Sequence, residues 1–245
     1  MWIFCCGMIR SGSTLQYQIV SELVENCRAG RRIEYVPENE FGRLLTSYRE
    51  EQALKVFKAH ICTEEIQKLF EARQAKGVYS FRDIRDVAVS AIKKFEMPFE
   101  ELIEKKWLDQ AIADYRLWTR LPNIMVSRYE RMIDDLPNEV LRLAAHVGLN
   151  VSLKEAEDIA SLFSLEKQVE RIKKIAIAHK EKGHLYDPHS LLHYNHINSG
   201  ESGSWKKQLT SEQIRVLEDK FGEWLEVTGY NAGRSFCTSP WLVPA

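Results

Sequence analysis

The stretch "GMIRSGST", residues 7–14, follows directly on the apolar run Trp2–Cys6 and leads into a helical pattern. It constrains the fold more than any other feature, because it asks for a strand, a tight turn and a helix start in immediate succession. Gly7 and Gly12 have the G-x-x-x-x-G spacing of a phosphate loop. In such a loop, successive backbone N–H groups and the positive end of the following helix form an anion site. Ser13 stands where a triphosphate loop carries lysine, and the loop's cation comes earlier, at Arg10. Ser13 and Thr14 add hydroxyls at the helix start. The plainer reading is that glycine and serine only turn a strand into a helix, with Ser13 as its cap.

Short apolar runs predict strands at Trp2–Cys6, Arg32–Val36, Lys55–Ala59, Val78–Arg82 and Ile124–Ser127. Helical patterns lie around Leu15–Cys27, Glu64–Lys76, Asp86–Phe95 and Phe99–Arg120. This alternation predicts an α/β fold, a central parallel sheet flanked by helices on both faces. The second half predicts helix from Asn138 to Lys182 and from Ser211 to Val227. Between these, "GHLYDPHSLLHYNHINSGESGSW" is rich in Gly, Ser, Asn and His, and reads as an ordered lid at about 180–204. There is no internal repeat or low-complexity linker. The 245 residues, 44% of them hydrophobic, suit one domain over 1–245 with a single core.

Net charge is −1, so no global field steers the chain to nucleic acid or to a membrane. An anionic ligand must then be held by local basic groups and backbone amides. The five cysteines form no C-x-x-C pair, and Cys5 and Cys6 point to opposite faces of one strand. Reduced thiols and a cytoplasmic location are the expectation. No apolar stretch approaches the ~20 residues of a membrane span, and the opening residues lack a basic leader region.

Three further stretches carry chemistry. In "YSFRDIRDVAVSAIKKF" (79–95), Arg82 ends a strand and offers a planar fork for bidentate phosphate binding. Ser90, eight residues on, lies inside the next helix; the alternative is a solvated surface of alternating Asp83, Arg85 and Asp86. In "KVFKAHI" (55–61), strand alternation puts Lys58 and His60 on one face with Val56. The carboxyl end of a parallel strand is where α/β sheets place reactive groups, although a lone histidine is often a bystander. "NSGESGSW" (198–205) is a glycine–serine turn able to offer amides to another anion.

In this order, the stretches resemble the sulfotransferases that use 3′-phosphoadenosine-5′-phosphosulfate (PAPS). The family's 5′-phosphosulfate loop resembles Ile9-Arg10-Ser11-Gly12-Ser13-Thr14, and its 3′-phosphate motif resembles Arg82 through Ser90. Lys58-Ala59-His60 is similar to its K-T-H strand, Tyr129-Glu130-Arg131-Met132 to its Y-E-D-L, and Asn198 through Lys206 to its R-K-G-x-x-G-x-W-K tail. The departures are Ile9 for proline, Asn198-Ser199 for the Arg-Lys pair, and Leu165 where the family has an aromatic residue. The family's dimer signature is not found, and no oligomeric state is read from the chain.

The resemblance implies that Arg10 and the amides of Ser11, Gly12, Ser13 and Thr14 hold the 5′-phosphosulfate. It implies that Arg82 and Ser90 hold the 3′-phosphate, with amides near Ser199 and Gly200, and that Tyr129 contacts adenine. His60 would be the base for the acceptor hydroxyl, with Lys58 on the leaving-group side and PAP as product. No metal is expected, since fixed cations take its place. Sulfuryl transfer, like phosphoryl transfer, is mainly positioning and charge stabilisation. The alternatives are a P-loop small-molecule kinase and a catalytically silent nucleotide-binding protein on the same fold.

Five of the seven histidines (179, 184, 189, 193, 196) fall within eighteen residues. Tyr186, His189, His193 and His196 are candidate acceptor contacts, and one of these histidines is an alternative base. A small hydroxylated acceptor is expected. More narrowly, the opening resembles bacterial natural-product-tailoring sulfotransferases, including those acting on saxitoxin-type alkaloids. For such a cation, Glu181, Asp187 and Glu201 are available carboxylates.

Overall fold

The computed structural model describes residues 1–183, 185–197 and 200–230. The first part of the chain runs β1 Trp2–Gly7, α1 Ser13–Asn26, β2 Gly30–Arg32, α2 Phe41–Ser47, β3 Leu54–Lys58, α3 Glu64–Glu71 and β4 Ala75–Phe81. Then come α4 Ile84–Phe95, α5 Phe99–Glu104, α6 Trp107–Trp118, β5 Ile124–Arg128 and α7 Tyr129–Asp134. The remainder is α8 Leu136–Val147, α9 Leu153–Leu162, α10 Leu165–Lys182, α11 Trp205–Gln208 and α12 Ser211–Val227. The chain forms two compact units. One comprises Met1–Arg82 and Ala113–Gly200, and the other Asp83–Ile112 and Glu201–Ala245.

The first unit holds the whole sheet, five parallel strands in the order β2-β3-β1-β4-β5. Every side chain of β1 is buried, as a central strand covered on both faces requires. Alternation sorts its residues between two cores. Ile3 and Cys5 join Val56, Val78 and the apolar faces of α1, α8 and α9, including Ile19, Val20, Leu143 and Ile159. Trp2 and Phe4 point the other way, into an aromatic cluster with Phe41, Phe57, Phe70 and Trp118. The helices thus flank both faces of a parallel sheet, as the alternation predicts. Cys5 and Cys6 are free thiols, and the expectation for Cys237 falls outside the described residues.

Several boundaries differ from the sequence reading, each for a local reason. The strand expected at Arg32–Val36 is instead Gly30–Arg32, because the ladder is set by Gly30 opposite Leu54 of β3. A Cβ on Gly30 would lie 1.9 Å from the Leu54 carbonyl oxygen, so that close pairing admits no other residue. The helix expected to reach Lys76 stops at Glu71, where Arg73 takes a left-handed φ of 55° and releases the chain into β4. The segment 99–120 divides at Lys106, also left-handed at φ 55°. The long helical half is broken by Gly148 and restarted by the Ser152 capping box and the Ser164 cap.

Phe4 lies within the aromatic cluster, its ring 5.3 Å from Phe41 and 5.5 Å from Phe70. Phe4→Ala is expected to cost about 3–5 kcal/mol of stability. Urea unfolding followed by Trp2 and Trp118 fluorescence measures it, and a loss under about 1 kcal/mol would mean that the aromatic face collapses around the gap.

Candidate functional site

The loop after β1 turns into α1 through Gly12, whose φ is 83°. Glycine is required there twice over. The backbone is left-handed, and a Cβ would lie 2.6 Å from Met132 Cε and 2.8 Å from the Tyr129 ring. Gly12 is also the N-cap of α1, and no side chain caps the helix. Ser13, read as a possible cap, instead receives a 2.9 Å hydrogen bond from the Lys58 ammonium. The first-turn amides of α1 therefore keep their donors for a ligand.

Ser11 is used differently. Its hydroxyl reaches Met8 O at 2.7 Å, Ser80 O at 2.9 Å and Ser80 Oγ at 2.8 Å, stapling the loop to the end of β4. Its amide donates to Met8 O at 3.2 Å. Of the amides expected from Ser11 to Thr14, that of Ser11 is thus spent within the loop.

Two guanidiniums converge beside this helix start. Arg10, left-handed at φ 64°, donates to the His196 carbonyl at 2.5 Å. Arg82, buried at the end of β4, donates to the Arg10 carbonyl at 3.4 Å and lies 4.3 Å over the Tyr129 ring. The Tyr129 hydroxyl donates to the Gly200 carbonyl at 2.9 Å. Burial, and then Arg82, bring Arg10 down to about 10 from its ordinary value. Arg10, Arg82, Gly12, Tyr129 and Gly200 thus lie together. Leu165 packs near Gly200, where a glycine Cβ would come within 3.0 Å of it. Ser199 and Asn198 lie outside the described residues.

Lys58 and His60 complete the edge. Lys58, the last residue of β3, is buried, and its desolvation lowers it to about 8. His60 follows the strand rather than ending it, with an exposed ring. The Lys58 charge first, then crowding by protein and His193, hold His60 down at about 3. Because the ring is open to solvent, the neighbouring ammonium is the cause that matters. His60 is thus neutral across the physiological range, far below the near-neutral titration its residue type implies.

Two residues unread in the sequence grip its backbone. Glu38 accepts the His60 N–H at 2.5 Å and the Ile61 N–H at 3.3 Å, and Trp118 donates to the His60 carbonyl at 3.3 Å. Both reach His60 across long sequence separations, and no local pattern marks them.

The central part of the segment read as a lid is a pinned hairpin. Tyr186 bridges antiparallel to His193, Leu191 and Leu192 are buried, and Gln18 donates to the Ser190 carbonyl at 2.8 Å. Arg32, ion-paired with Glu25 at 2.7 Å, donates to the His189 carbonyl at 3.1 Å. The four candidate acceptor contacts take different partners, although the Tyr186 and His193 rings lie 5.3 Å apart. Tyr186 and His189 line a cavity of about 460 Å³ with Gln18, Arg32 and Arg171, whereas His193 acts on His60 and His196 holds Arg10. Among the described residues no group of three or more His, Cys, Asp or Glu is arranged to hold a metal ion, and no helix is long and apolar enough to cross a membrane.

The second unit carries the rest of the 82–90 motif. Asp83 caps α4 by accepting the Arg85 N–H at 2.9 Å and also takes the Arg85 guanidinium at 2.7 Å. Arg85 pairs with Glu218 at 2.9 Å and lies 3.8 Å over the Trp205 ring. Asp86 accepts from Gly203 N at 2.7 Å, Ser204 Oγ at 2.9 Å and Trp205 N at 3.0 Å. Asp83, Arg85, Asp86 and Ser90 are all buried, so the solvated-charge alternative fails. They organise the glycine–serine turn that the sequence leaves as a bare loop.

Residues 2–229 match the family model described as Sulfotransferase domain. Over 270 residues the chain is 23% identical to a flavonol sulfotransferase-like protein of Flaveria bidentis, covering 93% of this chain and 82% of that protein. It is 24% identical over 207 residues to Sulfotransferase 2A1 of Macaca fascicularis, covering 76% and 68%. The fold resembles mouse sulfotransferase SULT7A1 complexed with PAP, with a TM-score of 0.69 at 20% identity over 92% of this chain and 84% of that one. It also resembles a retinol dehydratase in a complex with retinol and PAP, with a TM-score of 0.66 at 19% identity over 92% and 81%. At these identities the two structures establish the fold.

The buried lysine has a measurable consequence. Its folded value near 8 lies below the ordinary 10.5 of lysine, so the unfolded chain binds the proton more tightly between those limits. Lys58→Met is expected to stabilise the ligand-free protein at pH 7, with the gain shrinking as pH rises from about 8 towards about 10.5. Thermal unfolding at a series of pH values reads this, and a pH-independent gain would contradict the assigned burial cost.

Proposed function

Since the chain belongs to the sulfotransferase domain family, we propose that it transfers a sulfuryl group from PAPS to a hydroxyl of a small-molecule acceptor. The observation that carries this reading is the convergence of Arg10 and Arg82 at the uncapped start of α1. Two guanidiniums and a row of open amides fit an anionic donor, and PAP is the ligand named for both structural relatives. When bound, the donor supplies an activated sulfuryl group on a phosphate leaving group.

The chain's own groups then have distinct tasks. Arg10 and the amides of Gly12, Ser13 and Thr14 bind the phosphosulfate end and stabilise charge that grows on the leaving oxygen. Lys58, held at Ser13, adds a cation on the same side. Arg82 binds the 3′-phosphate, with Tyr129 at the adenine and Gly200 in the adjoining turn; for Ser90, in the second unit, that task rests on the family resemblance. His60, neutral and exposed, accepts the acceptor's hydroxyl proton. An anion beside Lys58 offsets the charge that depresses His60, so donor binding raises the base towards its ordinary range. We assign the two compact units to one catalytic domain, since the family match runs through both.

For the acceptor, a saxitoxin-type alkaloid is the narrower reading. Its support is the polar rim near His60, where Tyr35, Glu38, Tyr186 and His193 act on one another or on His60. Of the carboxylates named for such a cation, Asp187 is already engaged by the Ser190 N–H at 2.8 Å.

Calorimetry should show PAP binding without Mg²⁺, with ATP–Mg²⁺ failing to compete. Arg82→Ala is expected to weaken PAP by roughly 10–100-fold, the worth of a charge-assisted pair. With PAPS and a panel of hydroxylated acceptors read by mass gain, His60→Ala should lower turnover by ~10²–10⁴ with PAP affinity kept. Unchanged turnover removes His60 from the role, and absence of PAP binding removes the donor. The His60 imidazole, followed by NMR, should titrate at higher pH in the PAP complex than in the free protein.

A further inference from the structure

We infer that Glu38 is a positioning residue of the transfer, one oxygen of its buried carboxylate holding the His60 backbone while its charge faces Lys58. The inference rests on the proposed role of His60 and assigns a task to a residue outside the family's motifs as they stand in this chain. Glu38 begins a short 3-10 turn, Glu38–Glu40, after Pro37, and is 7% exposed. A carboxylate so far from water needs strong partners. It has two, the amides of His60 and Ile61, just past the last ladder pair of β3.

This grip matters because of what the imidazole lacks. No hydrogen bond to the His60 ring is present among the described residues, and the ring is exposed. In many histidine bases a carboxylate on the ring fixes the direction of the imidazole. Among the described residues direction is set through the main chain, by Glu38 on the N–H and Trp118 on the carbonyl. Loss of either lets the ring drift, and misplacement by about 1 Å can cost about 10²-fold in rate.

The charge has a separate effect. Lys58 is faced by Cys5 and Cys6 from β1, Ser13 from α1, His60 beyond it and Glu38. Burial pushes the Cys5 thiol up to about 12 and raises Cys6 well above its ordinary value, so both are uncharged at neutral pH. Glu38 is then the one negative charge among these groups. Ser13 stabilises the ammonium only through a dipole.

Two substitutions separate grip from charge. Glu38→Gln keeps an oxygen for the two amides and removes the charge, whereas Glu38→Ala removes both. With PAPS as donor, E38A should lose about 100-fold in kcat with the KM for PAPS within about twofold. E38Q should keep kcat within about tenfold, with the alkaline limb of its pH profile moved to lower pH as Lys58 loses its counter-charge. Exposed Glu34→Gln, which removes a carboxylate four residues earlier in the chain, should match wild type in both. Amide exchange at His60 and Ile61 should be faster in E38A than in E38Q.

With an active wild type, E38A turnover within twofold of wild type overturns the positioning role, and an unmoved E38Q profile overturns the charge role. If E38A does not fold, E38Q decides through kcat, profile and amide exchange, and wild-type behaviour in all three overturns the inference. A wild type inactive with PAPS overturns the functional reading instead, while the exchange comparison still reports whether Glu38 holds the strand end.

Discussion

β1 is hydrogen-bonded on both sides, and that double pairing decides where the reactive groups stand. Its register sets Cys5 opposite Lys58 of β3 and Gly7 opposite Ser80 of β4. The carboxyl ends of three parallel strands therefore finish side by side, delivering the glycine loop, Lys58 and Arg82 to one edge. Gly7 has no room for a side chain, since a Cβ would lie 2.3 Å from Ser80 Oγ. A slip by one residue would invert the faces of β1, sending Phe4 into the aliphatic core and Cys5 among the aromatic rings. Packing and chemistry are set by the same ladder.

That edge concentrates positive charge in a protein of near-zero net charge. Arg10 and Lys58 lie in partly or wholly desolvated positions, and Lys58 in turn suppresses the proton affinity of His60. In the free protein this arrangement is an electrostatic burden, borne by the aliphatic and aromatic cores on the two faces of the sheet. An anion relieves it, so affinity for the donor and instability without it have a common origin. It also makes His60 responsive, because the cation that lowers its proton affinity is the one an anion would neutralise.

The loop, β1, β3 and β4 are legible in the sequence because each rests on a local pattern, glycine spacing or apolar alternation within a few residues. Arg10, Lys58 and Arg82 come with them, since strand ends and turns dictate their place. β2 is misread because its extent depends on a partner strand and on the absence of a side chain at Gly30, not on its own hydrophobicity. Glu38 and Trp118 are invisible for a similar reason. A glutamate after a proline and a tryptophan at a helix end signal nothing until the fold brings both to His60. The burial of Asp83, Arg85 and Asp86 is also non-local, since their partners Glu218 and the 203–205 turn lie far along the chain. The spent amide of Ser11 is a subtler case, since glycine spacing does not show that one of the loop's donors is already occupied.

The Ser11 staple bears on kinetics. Its hydroxyl and amide tie the loop after β1 to its own start and to the end of β4. The loop is therefore rigid in the absence of a ligand, with the first-turn amides of α1 already facing one way. Ordering entropy that a flexible loop would lose on association is instead spent during folding. Association then needs no rearrangement of the loop, and differences among anions should fall mainly on how fast they leave.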